Sequence, residues 1–148
     1  MMFSRVKYAD IGSRILAWMV DCAIIFFLSV VLMSFLDALF VISINDMDTM
    51  IFTIVLLITF WGVGILYGTL AGYLSKGHTM GKLLWGIATV EDDLKYATPK
   101  AIFIDNVLKY SPLVIVDVIV GMIKYPSDPQ LRIRLFQGLS KTVVVRIR

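Results

Sequence analysis

The 27 residues from Thr49 to Ser75 contain no charged side chain. An α-helix crosses the hydrocarbon core of a bilayer in roughly 20 residues, so this run is long enough to span one. A second apolar run lies between Arg14 and Asp37 and carries one charge, Asp21. Two soluble core helices of that length would need a polar shell around them. The composition does not supply it: 59% of the chain is hydrophobic and 17% charged, against about 45–50% and about 25% in soluble domains. The chain therefore reads as an all-α integral membrane protein with transmembrane helices at about 13–36 and 50–74.

Arg5, Lys7 and Arg14 precede the first run, as in a signal peptide. The run is longer than a signal h-region and no small-residue cleavage site follows, so an uncleaved signal anchor is expected. The single Cys22 and single His78 exclude a disulfide framework and most zinc arrangements, and no metal or cofactor is expected. No nucleophile–base pair is present either, so the chain is not expected to be an enzyme.

Charge sets the expected orientation. The first 14 residues carry three Lys/Arg, segment 76–100 four and the tail 124–148 six, whereas the connection "DALFVISINDMD" has three aspartates and no base. Under the positive-inside rule the N-terminus and segment 76–100 are cytoplasmic and the acidic connection is outside. A single crossing by residues 101–123 would put the most basic segment outside. That stretch holds Asp105, Asn106, Lys109 and Asp117 and is interrupted at Ser111-Pro112, where proline removes a donor and disfavours helix in the residue before it. Two short pieces forming a re-entrant or interfacial helical hairpin are expected instead, with the tail returning to the cytoplasmic side. "LLWGIATVED" and "KTVVVRIR" are rich in β-branched residues and read as strands. Their pairing predicts a small cytoplasmic two-stranded β element, within a single domain over 1–148. A multi-pass protein of the cell (inner) membrane, both termini cytoplasmic, follows. The basic tail suits anionic lipid headgroups as partner better than nucleic acid.

Arg14 and Asp21 are seven residues apart, two helical turns and about 10 Å of rise, so they share a helix face. Arg14 can snorkel to the headgroups while Asp21 points inward. An acid at that depth normally faces a bundle interior or a wet cavity. It is either an ion- or proton-binding carboxylate or a polar anchor that fixes helix packing. Asp117, in "PLVIVDVIVG", is the second acid in apolar surroundings, and could approach Asp21 or Arg14; Lys109 could neutralise either acid. Gly64, Gly68 and Gly72, with Gly62 nearby, form a doubled G-x-x-x-G, which lets backbones approach closely in lipid. Their partner is span one or a second copy of the chain. "GHTMGK" is one residue short of a phosphate loop, has Leu83 where Ser/Thr is needed and follows a span instead of a strand. Gly77, Thr79, Gly81 and Lys82 are expected to shape a turn onto the cytoplasmic surface.

These features in this order resemble the RDD family of small bacterial and archaeal membrane proteins. "SRILAWMVDCAI" is similar to its first-span pattern, with Arg14 and Asp21 at the arginine and first aspartate. "GHTMGKLLWGIATVED" is similar to its G-x-T-x-G-K-x-x-x-G-I-x-V segment, with His78 where glutamine is usual, and "LRIRLFQGLSKTVVV" resembles its closing element. Gln137 stands where that element has aspartate, and Asp105 where a basic residue is usual. The resemblance implies a membrane fold and a role in transport, including cation/proton exchange. Residues and resemblance together lead to the expectation of an oligomer that transports an ion or small solute. The competing expectation is a non-catalytic accessory subunit of a larger membrane complex, in which Arg14, Asp21 and the glycine face determine assembly.

Overall fold

The computed structural model describes residues 7–39, 44, 47–127, 130 and 132–147. Arg5, Arg148 and part of the acidic connection (Phe40 to Ser43, Asn45 and Asp46) lie outside the described residues. The chain is mostly helical. A two-residue strand β1 (Lys7–Tyr8) leads into the long helix α1 (Ile11–Ala38), and α2 (Thr49–Leu74) follows. Then come α3 (Met80–Leu84), β2 (Ile87–Glu91), α4 (Pro99–Asn106), α5 (Val114–Lys124), α6 (Leu135–Leu139) and β3 (Thr142–Arg146). By length and composition α1 and α2 are each able to cross a membrane.

Local chemistry fixes the element ends. Asp10 caps α1, its carboxylate accepting from the Ser13 amide at 2.9 Å and the Ser13 hydroxyl at 2.8 Å. Those bonds hold the exposed Asp10 carboxyl below its ordinary pKa, the backbone bond most strongly. Asp48 caps α2 through the Met50 amide at 3.1 Å, and Thr98, followed by Pro99 in the first turn, caps α4. Two aspartates of the acidic connection thus have structural tasks, since Asp37 also accepts from the Ile44 amide at 3.0 Å.

Residues 101–123 are divided at the predicted place. Turns run between α4 and α5 around Ser111 and Pro112. The indole of Trp18 in α1 donates to the Lys109 carbonyl at 3.2 Å, and that of Trp61 in α2 to the Val107 carbonyl at 2.6 Å. Carbonyls of the turn that follows α4 are therefore satisfied from both long helices.

The buried residues of α2 are Gly64, Gly68 and Gly72. Within the chain this stripe is covered by α4 and the turn after it, a partner the sequence reading did not consider. A Cβ on Gly64 would lie 2.6 Å from Tyr110 Cβ, one on Gly68 2.8 Å from Asn106 Oδ1, and one on Gly72 3.0 Å from Ile102 Cγ2. The buried residues of α1 (Ser13, Ala17, Asp21, Ile25, Ser29 and Met33) recur every fourth position and form its inward stripe. Phe26, Phe27 and Phe35 point away from it and are exposed.

The sheet has three strands, ordered β1-β3-β2, and is antiparallel throughout. β2 and β3 pair from Ile87↔Arg146 to Glu91↔Thr142, and β1 adds Lys7↔Arg146 and Tyr8↔Val145. This corrects the expected two-stranded element. Two residues are too few to show an alternating pattern, so β1 has no signature in the sequence. Buried Val143 and Val145 point to one face with Val90, and Val144 to the other with Ile87, Ala9 and Ala17 of α1.

The glycine stripe yields a direct contrast. Gly68→Leu should drive Asn106 away from α2, at a cost of about 1–3 kcal/mol for overpacking, and lower the thermal unfolding midpoint in mild detergent. Gly62 has nothing within 4 Å of a built Cβ, so Gly62→Leu should leave the midpoint unchanged. Equal effects of the two changes would show that α4 does not cover this face.

Candidate functional site

Asp21 is 0% exposed. Its Oδ2 accepts from the Thr79 hydroxyl at 2.6 Å; its Oδ1 accepts from the Gly81 amide at 2.9 Å and the Tyr67 hydroxyl at 3.0 Å. The Lys109 ammonium stands 4.0 Å from Oδ2. One carboxylate in α1 therefore collects donors from α2, the loop after it and α3.

The residues of "GHTMGK" are fitted to this arrangement. Gly77 has φ 97 and packs against β2, whose Thr89 amide donates to the Gly77 carbonyl at 2.9 Å. A side chain there would run into the Thr89 carbonyl as well as require the left-handed conformation. Gly81 lies against α1, where a Cβ would overlap the Ala17 carbonyl and stand 3.0 Å from Asp21 Oδ1. Thr79 donates to Asp21 while its oxygen accepts from the Lys82 amide at 3.4 Å, capping α3. Lys82 does not reach outward. Its ammonium is buried and donates to the Thr89 hydroxyl of β2. Burial pushes its pKa below the ordinary lysine value, against the opposing pull of Asp105 and Asp21.

A second group of charges adjoins the first. Arg134 donates through Nη1 to the Asp105 carbonyl at 3.0 Å and through Nη2 to the Asp105 carboxylate, and Nη1 is also 3.6 Å from Asp117 Oδ2. Burial raises the Asp105 pKa, but the adjacent Arg134 and the Lys82 and Lys109 charges outweigh it and hold the carboxyl below its usual value. Asp117 accepts from the Phe136 amide at 2.9 Å, at the start of α6. Arg14 turns inward, its Nη2 donating to the Val144 carbonyl of β3 at 3.2 Å.

Between α1, α5 and this cluster lies a cavity of about 510 Å³. Its floor is Asp21, Lys82, Asp105, Lys109, Arg134 and Gln137, and its walls are apolar side chains of α1 and α5. Gln137 is 2% exposed, and its Nε2 has no hydrogen-bond partner among the described residues. Among the described residues there is no group of three His, Cys, Asp or Glu able to hold a metal ion.

Of the residues expected from the sequence to form a site or its turn, Arg14, Asp21, Gly77, Thr79, Gly81, Lys82 and Asp117 all belong to this region. Asp117 reaches Arg134, a partner not anticipated, and Lys109 stands beside Asp21, one of the two pairings left open. Arg134 itself was missed. It sits outside any regular element, in a tail whose bases read as headgroup contacts, and no local pattern sets it apart. Its neighbour Arg132 is likewise paired internally, with Asp92 at 3.1 Å, and Arg146 pairs with Asp10 at 3.3 Å.

Two long apolar helices, a small sheet and a charge cluster between them define a membrane-associated helical protein. Residues 8–127 match the family model of the RDD family, and the chain belongs to that family. No curated protein and no solved structure matches the chain.

Removing Arg134 would leave two buried carboxylates without their counter-ion. Arg134→Met is expected to cost about 3–5 kcal/mol and to lower the unfolding midpoint sharply. Lys95→Met removes an ion pair whose lysine is 79% exposed and should not move the midpoint. A stable Arg134→Met protein would mean that the cluster is not organised around this guanidinium.

Proposed function

We propose that the chain is a multi-pass protein of the cell (inner) membrane that takes part in transport of an ion or small solute, working as an oligomer. The observation that carries this reading is the cavity whose floor is a buried cluster of charges, directly beside α1, one of two helices long enough to span. Intramembrane ionisable groups are expensive to keep and normally line a binding site or pathway. Two long helices are too few to enclose a path alone. The large exposed apolar side chains of α2, among them Leu57, Ile58 and Leu66, are available to other copies and to lipid.

The sheet supports one orientation. It joins strands from before α1, after α2 and near the C-terminus, which favours placing all three on one side of a bilayer. The eight residues of α4 and eleven of α5 rise about 12 and 16 Å, well short of the ~30 Å core. We infer that they form a re-entrant or interfacial hairpin, and that the sheet and both termini are cytoplasmic, in keeping with the basic N-terminus.

A second reading has its own support. The Asp21 oxygens are engaged by three donors from this same chain, which suits a packing anchor in an accessory subunit of a larger complex. Reconstitution separates the two. Proton-coupled flux in proteoliposomes should be abolished by Asp21→Asn and by Lys82→Met if the cluster carries transport. Flux that neither change alters would remove the cluster from a transport mechanism. Copurification of larger partners from native membranes in mild detergent, with no flux from the isolated chain, would favour the accessory reading.

The orientation has a separate test. In a Cys22→Ser background, Ser43→Cys should react with a membrane-impermeant thiol reagent on intact cells and Lys95→Cys should not. Labelling at Lys95→Cys would place the sheet outside.

A further inference from the structure

The cavity between α1 and α5 has an unusual division of chemistry. Six charged side chains line it, of which Arg14, Lys82, Lys109 and Arg134 are cationic and Asp21 and Asp105 anionic. Asp117 stands behind Arg134 and supplies a third carboxylate. Four formal positive charges therefore face three negative ones.

The carboxylates are also the better occupied partners. Asp105 is held by Arg134, and Asp21 by three donors. Among the described residues the Lys82 ammonium makes one hydrogen bond, to the Thr89 hydroxyl, and no ion pair. An ammonium has three donors, so two remain to be directed at an acceptor. Lys109 donates to the Tyr110 hydroxyl at 2.9 Å and has Asp21 only at 4.0 Å. Gln137 adds an independent observation. It lines the same cavity, is almost fully buried, and its Nε2 is a donor without a hydrogen-bond partner among the described residues. A buried donor without an acceptor is costly, so the floor presents unsatisfied donors alongside its formal positive charges.

The walls are of the opposite kind. Ile11 and Ile15 of α1 and Ile115, Ile119 and Met122 of α5 line the cavity and are also exposed at the molecular surface. The cavity therefore has an apolar side open toward the surface where the long helix α1 would meet lipid. A volume of about 510 Å³ falls within the ~300–1,000 Å³ of small-ligand sites. That is room for a headgroup and the first part of an acyl chain, with the rest of the chain outside.

We propose that this cavity binds an anionic amphiphile, an acidic glycerophospholipid, with its phosphate on Lys82, Lys109 and Gln137 and an acyl chain between α1 and α5. The proposal rests on the reading of the cavity as a binding site and names the class of ligand it takes. A cation does not suit the surplus positive charge. A wholly apolar ligand would leave the ammonium groups and the Gln137 amide without acceptors. A small water-soluble anion would make no use of the apolar walls.

The full chain, purified in a non-ionic detergent, can be titrated with phosphatidylglycerol, phosphatidylcholine and glycerol phosphate while its thermal midpoint and retained lipid mass are followed. Phosphatidylglycerol should raise the midpoint by several degrees and remain bound in native mass spectra, whereas the other two should do neither. Lys82→Met and Gln137→Leu should each weaken phosphatidylglycerol binding at least tenfold. Should Lys82→Met fail to fold, Gln137→Leu still decides the matter, because it removes no charge and no side-chain hydrogen bond seen among the described residues. Equal stabilisation by phosphatidylcholine would overturn the proposal, as would an equal effect of glycerol phosphate or undiminished binding by Gln137→Leu. Flux that depends on Asp21 and Lys82 without any preference for the acidic lipid would also overturn it, while leaving the transport reading in place.

Discussion

A carboxylate set inside an apolar helix is costly unless donors and cations surround it, and much of this structure is arranged to surround Asp21. The donors come from Tyr67 near the end of α2, Thr79 in the following loop and Gly81 at the start of α3. Taking them up brings the loop back onto α1. With the loop in place, Gly77 abuts β2 and Lys82 reaches Thr89 in the same strand. The sheet is thereby fastened to the helices, and Arg14 adds a further link from α1 to β3. Arg134 performs the corresponding task on the other side, joining α4 and α5 through Asp105 and Asp117. The glycine stripe of α2 thus seats α4, and Arg134 ties the short helix α5 to α4.

Small residues matter here for what they let approach. Gly64, Gly68 and Gly72 admit Tyr110, Asn106 and Ile102, and Gly81 admits the backbone of α1. Association in lipid gains little from hydrophobicity, since the surrounding chains are as apolar as the side chains, so close packing and buried polar contacts carry more of the specificity. The same polar contacts leave a floor with surplus positive charge next to apolar walls, which makes a binding role chemically reasonable for a chain with two long helices.

Much of this was legible in the residues. Long apolar runs, charge-free in α2 and broken by Asp21 in α1, marked the two long helices, because the bilayer imposes a length that few other constraints mimic. Pro112 and the polar residues around it marked the break between α4 and α5. The β-branched runs marked β2 and β3. The spacing of Arg14 and Asp21 marked a shared face, and "GHTMGK" marked a turn, though nothing local showed that the turn's hydroxyl and amide would meet Asp21. Long-range pairings were the illegible part. Arg134 lies 29 residues from Asp105, in irregular chain, and a tail rich in bases offers no ground for choosing one of them. Tyr67 and Tyr110 were equally silent, since a tyrosine in an apolar run reads as packing until its hydroxyl has a partner.

The central claim is that the Asp21 carboxylate and the Thr79 hydroxyl act as one unit that ties the loop to α1. A double-mutant cycle on thermal unfolding in detergent, with Asp21→Asn, Thr79→Val and the pair, measures that coupling. The structure calls for a coupling of about 1–3 kcal/mol, as found for residues in one hydrogen-bond network, with the double mutant clearly more stable than the sum of the single losses. Strictly additive losses would contradict the account, because the two groups would then be stabilising the protein through separate partners.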